Sequence, residues 1–477
     1  MRRHLQVAGL FAVLAITACV DEPSAPAVPT APPIDLSLSR QAPSGTGRHI
    51  VSFQGAAPAN FATRVRALGG KVEWVSSGSG LATVSGLTAA AAASLAGSSG
   101  VSAVDEDDVF SIDLPSATVL ERTKVTGATN SPSDPAGAFF FARQWNMRQI
   151  RADAAWAAGR RGSSSVTVAI LDTGIDYLHA DLAGLVDLGR SIDLLGTFVV
   201  NGVPFTERDT VAKYFPTSQP FTDLFFHGTH VAATVSSNAL AAAGVTSQAK
   251  LMAVKVCAYL NICPISSILS GVLYATANGA DVMNLSLGGS IPKHGNRGLI
   301  KLINKVFEFA RRQGVTIVVS AGNSATDLDH DVGIYESYCD TPATICVSAT
   351  GPTSEAGING PWVNIDAFAS YSNFGKKAIN LAAPGGNGST FVYAACSGTS
   401  LLIPICGLGT FILGVQGTSM ASPHVAGAAA LLVENLGRRP DAIRRRLEKT
   451  ADEIDGKHKS PFYGNGRLNV ARALGIH

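Results

Sequence analysis

Val166-Thr167-Val168-Ala169-Ile170-Leu171, followed by Asp172-Thr173-Gly174, is the stretch on which the reading of the fold turns. It is aliphatic and largely β-branched with no polar alternation, the signature of a strand buried on both faces. Similar short apolar runs return at Lys250–Val256, Asp281–Ser286, Val315–Ser320, Thr344–Ser348 and Ile379–Ala382. Between them the spacing predicts helices over His230–Asn238, Ser266–Asn278, Arg297–Gln313 and Ser419–Leu436, and Gly279 and Gly314 stand where helix stops belong. Strands alternating with helices imply an α/β fold, a mostly parallel sheet with helices on both faces. Chemistry in such sheets gathers beyond the carboxyl ends of the strands, where Asp172 falls.

Upstream, residues 48–113 carry a shorter pattern. Strands are expected at His49–Phe53, Val72–Val75, Gly80–Val84 and Val101–Asp105, and helices at Ala57–Leu68 and Ala89–Leu95, giving a small α+β, ferredoxin-like unit. Residues 114–143, with their Pro, Ser, Thr and Gly, read as a linker open to cleavage, and residues 144–477 as the main domain. Residues 19–47 are rich in Pro, Ala and Ser without apolar periodicity, as in an exposed tether. Residues 1–18 place Arg2 and Arg3 before the apolar run Leu5–Ile16, which is too short for a membrane span and reads as a secretory signal. Ile16-Thr17-Ala18-Cys19 resembles a bacterial lipobox, which would put a lipid on Cys19; an ordinary signal with a chance cysteine is the alternative. The apolar run Leu401–Val415, interrupted by Pro404, Gly407 and Gly409, is expected to be a hairpin rather than a span.

The 477 residues are 46% hydrophobic and 15% charged, enough to bury a large core. Lys and Arg number 37 against 35 Asp and Glu, so no cationic surplus exists to hold a phosphate backbone, and nucleic acid is excluded as a partner class. Beyond Cys19, six cysteines fall into three close pairs: Cys257 with Cys263, Cys339 with Cys346, and Cys396 with Cys406. In an exported chain such pairs suggest short-loop disulfides, although spacing alone leaves the connectivity open. Zinc is the rival reading, but C-x-x-C is absent.

Two further motifs join Asp172. Phe226-His227-Gly228-Thr229-His230 and Gly417-Thr418-Ser419-Met420-Ala421-Ser422-Pro423-His424 each open a predicted helix. A serine hydroxyl is a weak nucleophile until an imidazole takes its proton, and the imidazole needs a carboxylate to fix its tautomer. Taken together, and in this chain order, the motifs resemble the subtilisin-like serine proteases from about Gln144 onward. The resemblance implies Asp172 as orienting acid, His227 as general base and Ser419 as nucleophile. It also implies that Asn323, in Ser320-Ala321-Gly322-Asn323, donates to the oxyanion, and that Ser286, Leu287 and Gly288 pair with extended substrate.

A structural calcium ion held by Gln144, Asp181 and Asn238 is implied too, with no organic cofactor; the alternative is that these side chains merely tie loops. Residues 48–113 resemble that family's inhibitory propeptide, with a separate adaptor domain as the other possibility. The expectation is therefore an exported serine endopeptidase, made as a self-processing zymogen. It would act as a monomer on proteins or peptides, be inhibited by its own propeptide, and touch the membrane only through an N-terminal lipid. A catalytically dead relative serving as a binding module is the rival of a different class. An α/β-hydrolase is disfavoured by the order Asp, His, Ser and by the missing G-x-S-x-G elbow.

Gly398-Thr399-Ser400 repeats the nucleophile's tripeptide without the residues that should follow, so Ser400 reads as a decoy. His230 and His424 read as structural. The 55-residue spacing from Asp172 to His227 includes an insertion over about 187–221, and the 387–415 segment before the serine is also expanded, so cleavage preference cannot be borrowed from the family.

Overall fold

The computed structural model describes residues 46–76, 80–112, 114, 121–124, 133–200, 202–331, 333–336 and 338–476. Cys19, the signal segment and nearly all of the tether lie outside the described residues, as does much of the linker.

Seven strands form one parallel sheet. Across it the order is Leu381–Pro384, Thr344–Thr350, Thr316–Ser320, Val282–Leu285, Thr167–Asp172, Lys250–Lys255 and Ile192–Asp193. Side chains alternate across a strand, so Thr167–Asp172 serves both faces. Val168 and Ile170 share a core with residues of the His227–Val235 and Thr418–Leu436 helices, while Ala169 and Leu171 share one with residues of the Ile265–Ala277 and Arg297–Arg312 helices. The chain places Lys250–Lys255 on one side of Thr167–Asp172 and the next strand on the other. That reversal opens a crevice at the carboxyl end of Thr167–Asp172.

The strands and helices follow the apolar runs, with two corrections. The helix expected from His230 begins at His227, because its caps come from distant segments. The Gly228 N–H donates to Thr173 Oγ1 and the Thr229 N–H to Asp223 Oδ2. The Leu401–Val415 run is not a hairpin in itself. It holds a 3₁₀ turn at Pro404–Leu408 and a strand at Phe411–Val415, which pairs on one side with Val392–Ala395 and on the other with Glu121–Lys124. The six cysteines form three disulfides, Cys257–Cys263, Cys339–Cys346 and Cys396–Cys406.

Ahead of the main sheet, four antiparallel strands stand in the order Lys71–Ser76, Leu81–Ser85, Arg48–Phe53, Val101–Glu106. Val51 and Phe53 face this unit's own helices, through Phe61, Val65 and Leu95. Ile50 and Leu81 face the other way, into the core of the main domain. A buried ion pair pins the contact. Arg48 Nε donates to Asp107 Oδ2, and the same guanidinium reaches Leu195 O, Ser266 Oγ and Ser267 Oγ. Asp107 in turn accepts the Ser266 N–H at the start of the Ile265–Ala277 helix, where a carboxylate is favoured. Among the described residues no helix is long and apolar enough to cross a membrane.

Gly427 lies inside the Thr418–Leu436 helix, where Gly→Ala ordinarily stabilises by ~1 kcal/mol. Here an added Cβ would sit 2.6 Å from Val245 Cβ and 3.2 Å from Val235 O, and overpacking costs ~1–3 kcal/mol. Gly427→Ala is therefore expected to lower the unfolding temperature, measured by circular dichroism in a Ser419→Ala background. A rise would show that the helix shifts freely at this point.

Candidate active site

Asp172 ends its strand with no exposed surface. Its Oδ1 accepts the Thr173 N–H at 2.8 Å and faces His227 Nδ1 at 2.8 Å. A carboxylate accepts, so Nδ1 carries the proton and Nε2 is left as the basic nitrogen. Ser419 is the second residue of the Thr418–Leu436 helix, packed beside the His227–Val235 helix. Its hydroxyl donates to Ser286 O at 3.1 Å, so the serine–histidine bond is not formed here. Such bonds often tighten only when substrate arrives. Pro423 explains part of the local geometry. Lacking an N–H, it cannot bond the Ser419 carbonyl four residues back, and Ser286 Oγ donates to that carbonyl instead, at 2.8 Å.

Asn323 stands across the cleft. Its Oδ1 accepts both the N–H and the hydroxyl of Thr418, each at 2.9 Å. A backbone N–H can only donate, so this contact identifies the oxygen and leaves the amide nitrogen on the other branch. Ser286, Leu287 and Gly288 line the same cavity of about 320 Å³ as Asn323 and Ser419, and Val109, Phe110 and Ser111 line it too. Gly288 pairs antiparallel with Ser111.

The sequence reading missed the scaffold under the histidine. Asp223 is fully buried; it accepts the Thr173 hydroxyl, the Phe225 and Thr229 N–H groups and the Thr229 hydroxyl. Burial pushes its carboxyl up, and these donors pull the other way. An acid inside the apolar run Phe221–Phe226 was the available signal, since such a group is tolerable only when hydrogen-bonded. Ser400 lies in the loop beneath. Its hydroxyl donates to Phe225 O and accepts the Ile403 N–H, and it does not line the cleft cavity.

His230 Nε2 faces the carbonyls of Val392 and Leu413, so that nitrogen is protonated. His424 faces Met420 O through Nδ1 and the Asn146 amide through Nε2. Burial pushes His230 down to about 3 and His424 down to about 4, so both rings are neutral.

The expected calcium ligands do come together, but not to hold a cation. Asp181 Oδ1 accepts the Leu240 and Ala241 N–H groups and Oδ2 the Ala242 N–H, at 2.8 to 3.0 Å. Gln144 Oε1 accepts the Ala243 N–H. Asn238 turns its amide nitrogen to the carbonyls of Ala180 and Ala183. The loop's own carbonyls are also taken: Leu240 by the Phe139 N–H, Ala241 by Phe140, Ala242 by the Ser237 hydroxyl and Ala243 by the Gln144 amide. Donors that converge on the carboxylate oxygens occupy the positions a hard cation needs. The residues therefore do not fit calcium, and among the described residues no cluster of three or more His, Cys, Asp or Glu could hold a metal.

Comparison with known proteins agrees with this geometry. Residues 163–466 match the subtilase family model, peptidase S8. Thermitase of Thermoactinomyces vulgaris is 30% identical over 347 residues, which is 72% of this chain and 99% of thermitase. Subtilisin E of Bacillus subtilis (strain 168) is 32% identical over 333 residues, 69% of this chain and 70% of subtilisin E. Among solved structures, the epidermin leader peptide processing serine protease of Staphylococcus aureus superposes with TM-score 0.67 at 19% identity, covering 90% of this chain and 98% of that one. Fervidolysin of Fervidobacterium pennivorans superposes with TM-score 0.66 at 22% identity, covering 91% of this chain and 61% of that one.

Two outcomes are expected. If amides close the 238–243 loop, Asp181→Asn lowers the unfolding temperature, while any shift on adding calcium is equal in wild type and Gln144→Ala. A calcium gain lost in Gln144→Ala would restore the cation. For His230 and His424, the unfolded chain takes up protons below their ordinary pKa of 6.5 that the folded chain refuses. Their stabilisation is therefore complete above that pH and drains away as pH falls toward 4 and 3. His424→Asn should flatten the slope of unfolding temperature against pH between 6.5 and 4; an unchanged slope would assign acid lability elsewhere.

Proposed function

The chain belongs to the subtilase family and is a serine endopeptidase, and on that premise we propose that Asp172, His227 and Ser419 cleave peptide bonds as a triad, first within their own precursor. The hydrogen bond at 2.8 Å between Asp172 and His227, on a helix packed against the one whose Ser419 lines a cleft shared with the chain's own strand, carries the reading. The Ser419 hydroxyl leaves Ser286 O and turns to His227 Nε2, which takes its proton as Oγ attacks the scissile carbonyl. Asp172 holds the imidazolium that results. The Asn323 amide and the Ser419 N–H donate to the oxyanion, where bonds strengthen as charge develops. His227 then gives its proton to the leaving amine, and water repeats the sequence on the acyl-enzyme. Each of these groups comes from a single chain, so a monomer suffices.

Residues 48–113 serve in this reading as propeptide and inhibitor. Val109–Phe110 pairs antiparallel with Cys263–Pro264, and Ser111 pairs with Gly288. The Phe110 ring lies against Gly289, where a Cβ would come within 2.4 Å of it. Ser111 opposite Gly288 brings this strand two residues short of Ser286, whose carbonyl meets the Ser419 hydroxyl. That register supports the reading, Asp113 itself lying outside the described residues. It assigns the first cut to the bond between Asp113 and Leu114. Export through residues 1–18, with a lipid on Cys19 holding the precursor until that cut, completes the proposal.

Ser419→Ala should remain at precursor size, and wild type should yield a mature N-terminus at Leu114, read by Edman degradation. Processing of Ser419→Ala alone in the tube would overturn the nucleophile, and an N-terminus elsewhere would overturn the register. Asn323→Ala should lose ~100- to 1000-fold in turnover, the size known for the matching amide in subtilisin. A loss confined to KM would remove it from the oxyanion hole.

A further inference from the structure

Two features of the sequence found no role in the triad: the 187–221 insertion and the closely spaced Cys257 and Cys263. In the fold they meet on one loop. Cys257–Cys263 closes it at the base, and within it the Ala258 N–H donates to Ile262 O and the Asn261 N–H to Ala258 O. From outside, the insertion braces it. Leu195 and Phe198 pack on Ala258 and Ile262, and Glu207, ion-paired with the buried Lys255, accepts the Tyr259 N–H at 2.8 Å.

At the tip stands Asn261, with φ of +61°, a left-handed conformation that Asn adopts more readily than most residues. Its side chain makes two hydrogen bonds to one residue of the strand in the cleft. Oδ1 accepts the Ile112 N–H at 2.7 Å, and Nδ2 donates to Ile112 O at 3.1 Å. The partners fix the orientation of the amide, because a backbone N–H only donates and a carbonyl only accepts. A side-chain amide thus takes the place of a neighbouring peptide unit. Phe110 is paired by Cys263 and Ser111 by Gly288; Ile112 has Asn261.

We propose that Asn261 is a substrate-binding residue that reads both main-chain polar groups of the second residue on the acyl side of the scissile bond. The proposal rests on the reading above that Val109–Ile112 lies in the cleft as substrate does. A contact made only to main chain is indifferent to the side chain it serves but sensitive to a missing N–H. Proline or an N-methylated residue at that position leaves Asn261 Oδ1 facing no donor. The bond is held ready before substrate arrives, because the disulfide, the turn and the insertion fix the loop, so little ordering entropy opposes it.

The test uses enzyme matured from the full chain and two peptides that differ only by N-methylation of that residue. Wild type should favour the unmethylated peptide by ~3- to 10-fold in kcat/KM, the range of one net hydrogen bond. Asn261→Gly, which keeps the left-handed backbone without a side chain, should bring the ratio close to one. Asn261→Asp, which keeps the acceptor, should retain the preference. Because ratios are taken on one preparation, partial misfolding of a variant cancels. A preference unchanged in Asn261→Gly, or absent from wild type, overturns the role of Asn261. Labelling of Ser419 by a fluorophosphonate separates the premises: labelled enzyme without the ratio refutes Asn261 alone, whereas enzyme that neither labels nor cleaves refutes the peptidase reading and the role of Asn261 with it.

Discussion

A carboxylate with no contact to water, at the end of the central strand, is the constraint on which the site depends. Burying the Asp172 carboxyl is tolerable only where donors meet it, and the fold supplies one from the next residue and one from 55 residues on. The Thr173 N–H and the His227 ring meet Oδ1 directly. Thr173 then hands the arrangement on: its hydroxyl accepts the Gly228 N–H and donates to Asp223, which caps the same helix. The histidine is held by a helix whose first turn is capped from the strand that carries the acid. One unit positions both groups.

The two expansions of the chain serve that unit from opposite sides. The 387–415 segment, closed by Cys396–Cys406, sends Ser397 and Thr399 to the Asp223 carbonyl and the Leu401 N–H to Leu224 O, so it supports the turn that leads into His227. The 187–221 insertion reaches past Lys255, the strand neighbour of Asp172, to the Cys257–Cys263 loop. Both are loops in the chain, yet each is tied down by a disulfide, by hydrogen bonds or by a buried ion pair.

Most of the fold was legible because strands buried on two faces announce themselves as unbroken apolar runs, and the order of those runs implies a parallel sheet. Asp172, His227, Ser419 and Asn323 could be picked out because each stands in a motif at the end of such a run or the start of a helix, and the motifs resemble those of the subtilases. What escaped reading depends on the backbone. Gln144, Asp181 and Asn238 have the residue types and positions of a calcium site, but Asp181 and Gln144 accept main-chain N–H groups of the 240–243 loop and Asn238 donates to the carbonyls of Ala180 and Ala183, partners that leave no trace in side-chain identity. The early start of the His227 helix escaped because the side chains that cap it, Thr173 and Asp223, lie 55 and 6 residues from the N–H groups they accept. Ser400 shares its tripeptide with Ser419; the residues that follow already set it apart, and its packing under the Phe225 carbonyl could not be read from the sequence. Asn261, a lone polar residue in Ala258-Tyr259-Leu260-Asn261-Ile262, belongs to no motif at all.

Glu121–Lys124 lies along the open side of Phe411–Val415, a strand buried over its whole length. An apolar strand with unpaired N–H and carbonyl groups is a template for other chains, and this one stands a few residues before the nucleophile. A cut after Asp113 leaves Glu121–Lys124 attached to the mature enzyme, so the edge stays covered. Trimming beyond Lys124 would bare it. If the precursor is cut as proposed, the short segment after that bond bears on solubility as well as maturation: the boundary of the cut then separates a solitary enzyme from one able to associate edge to edge.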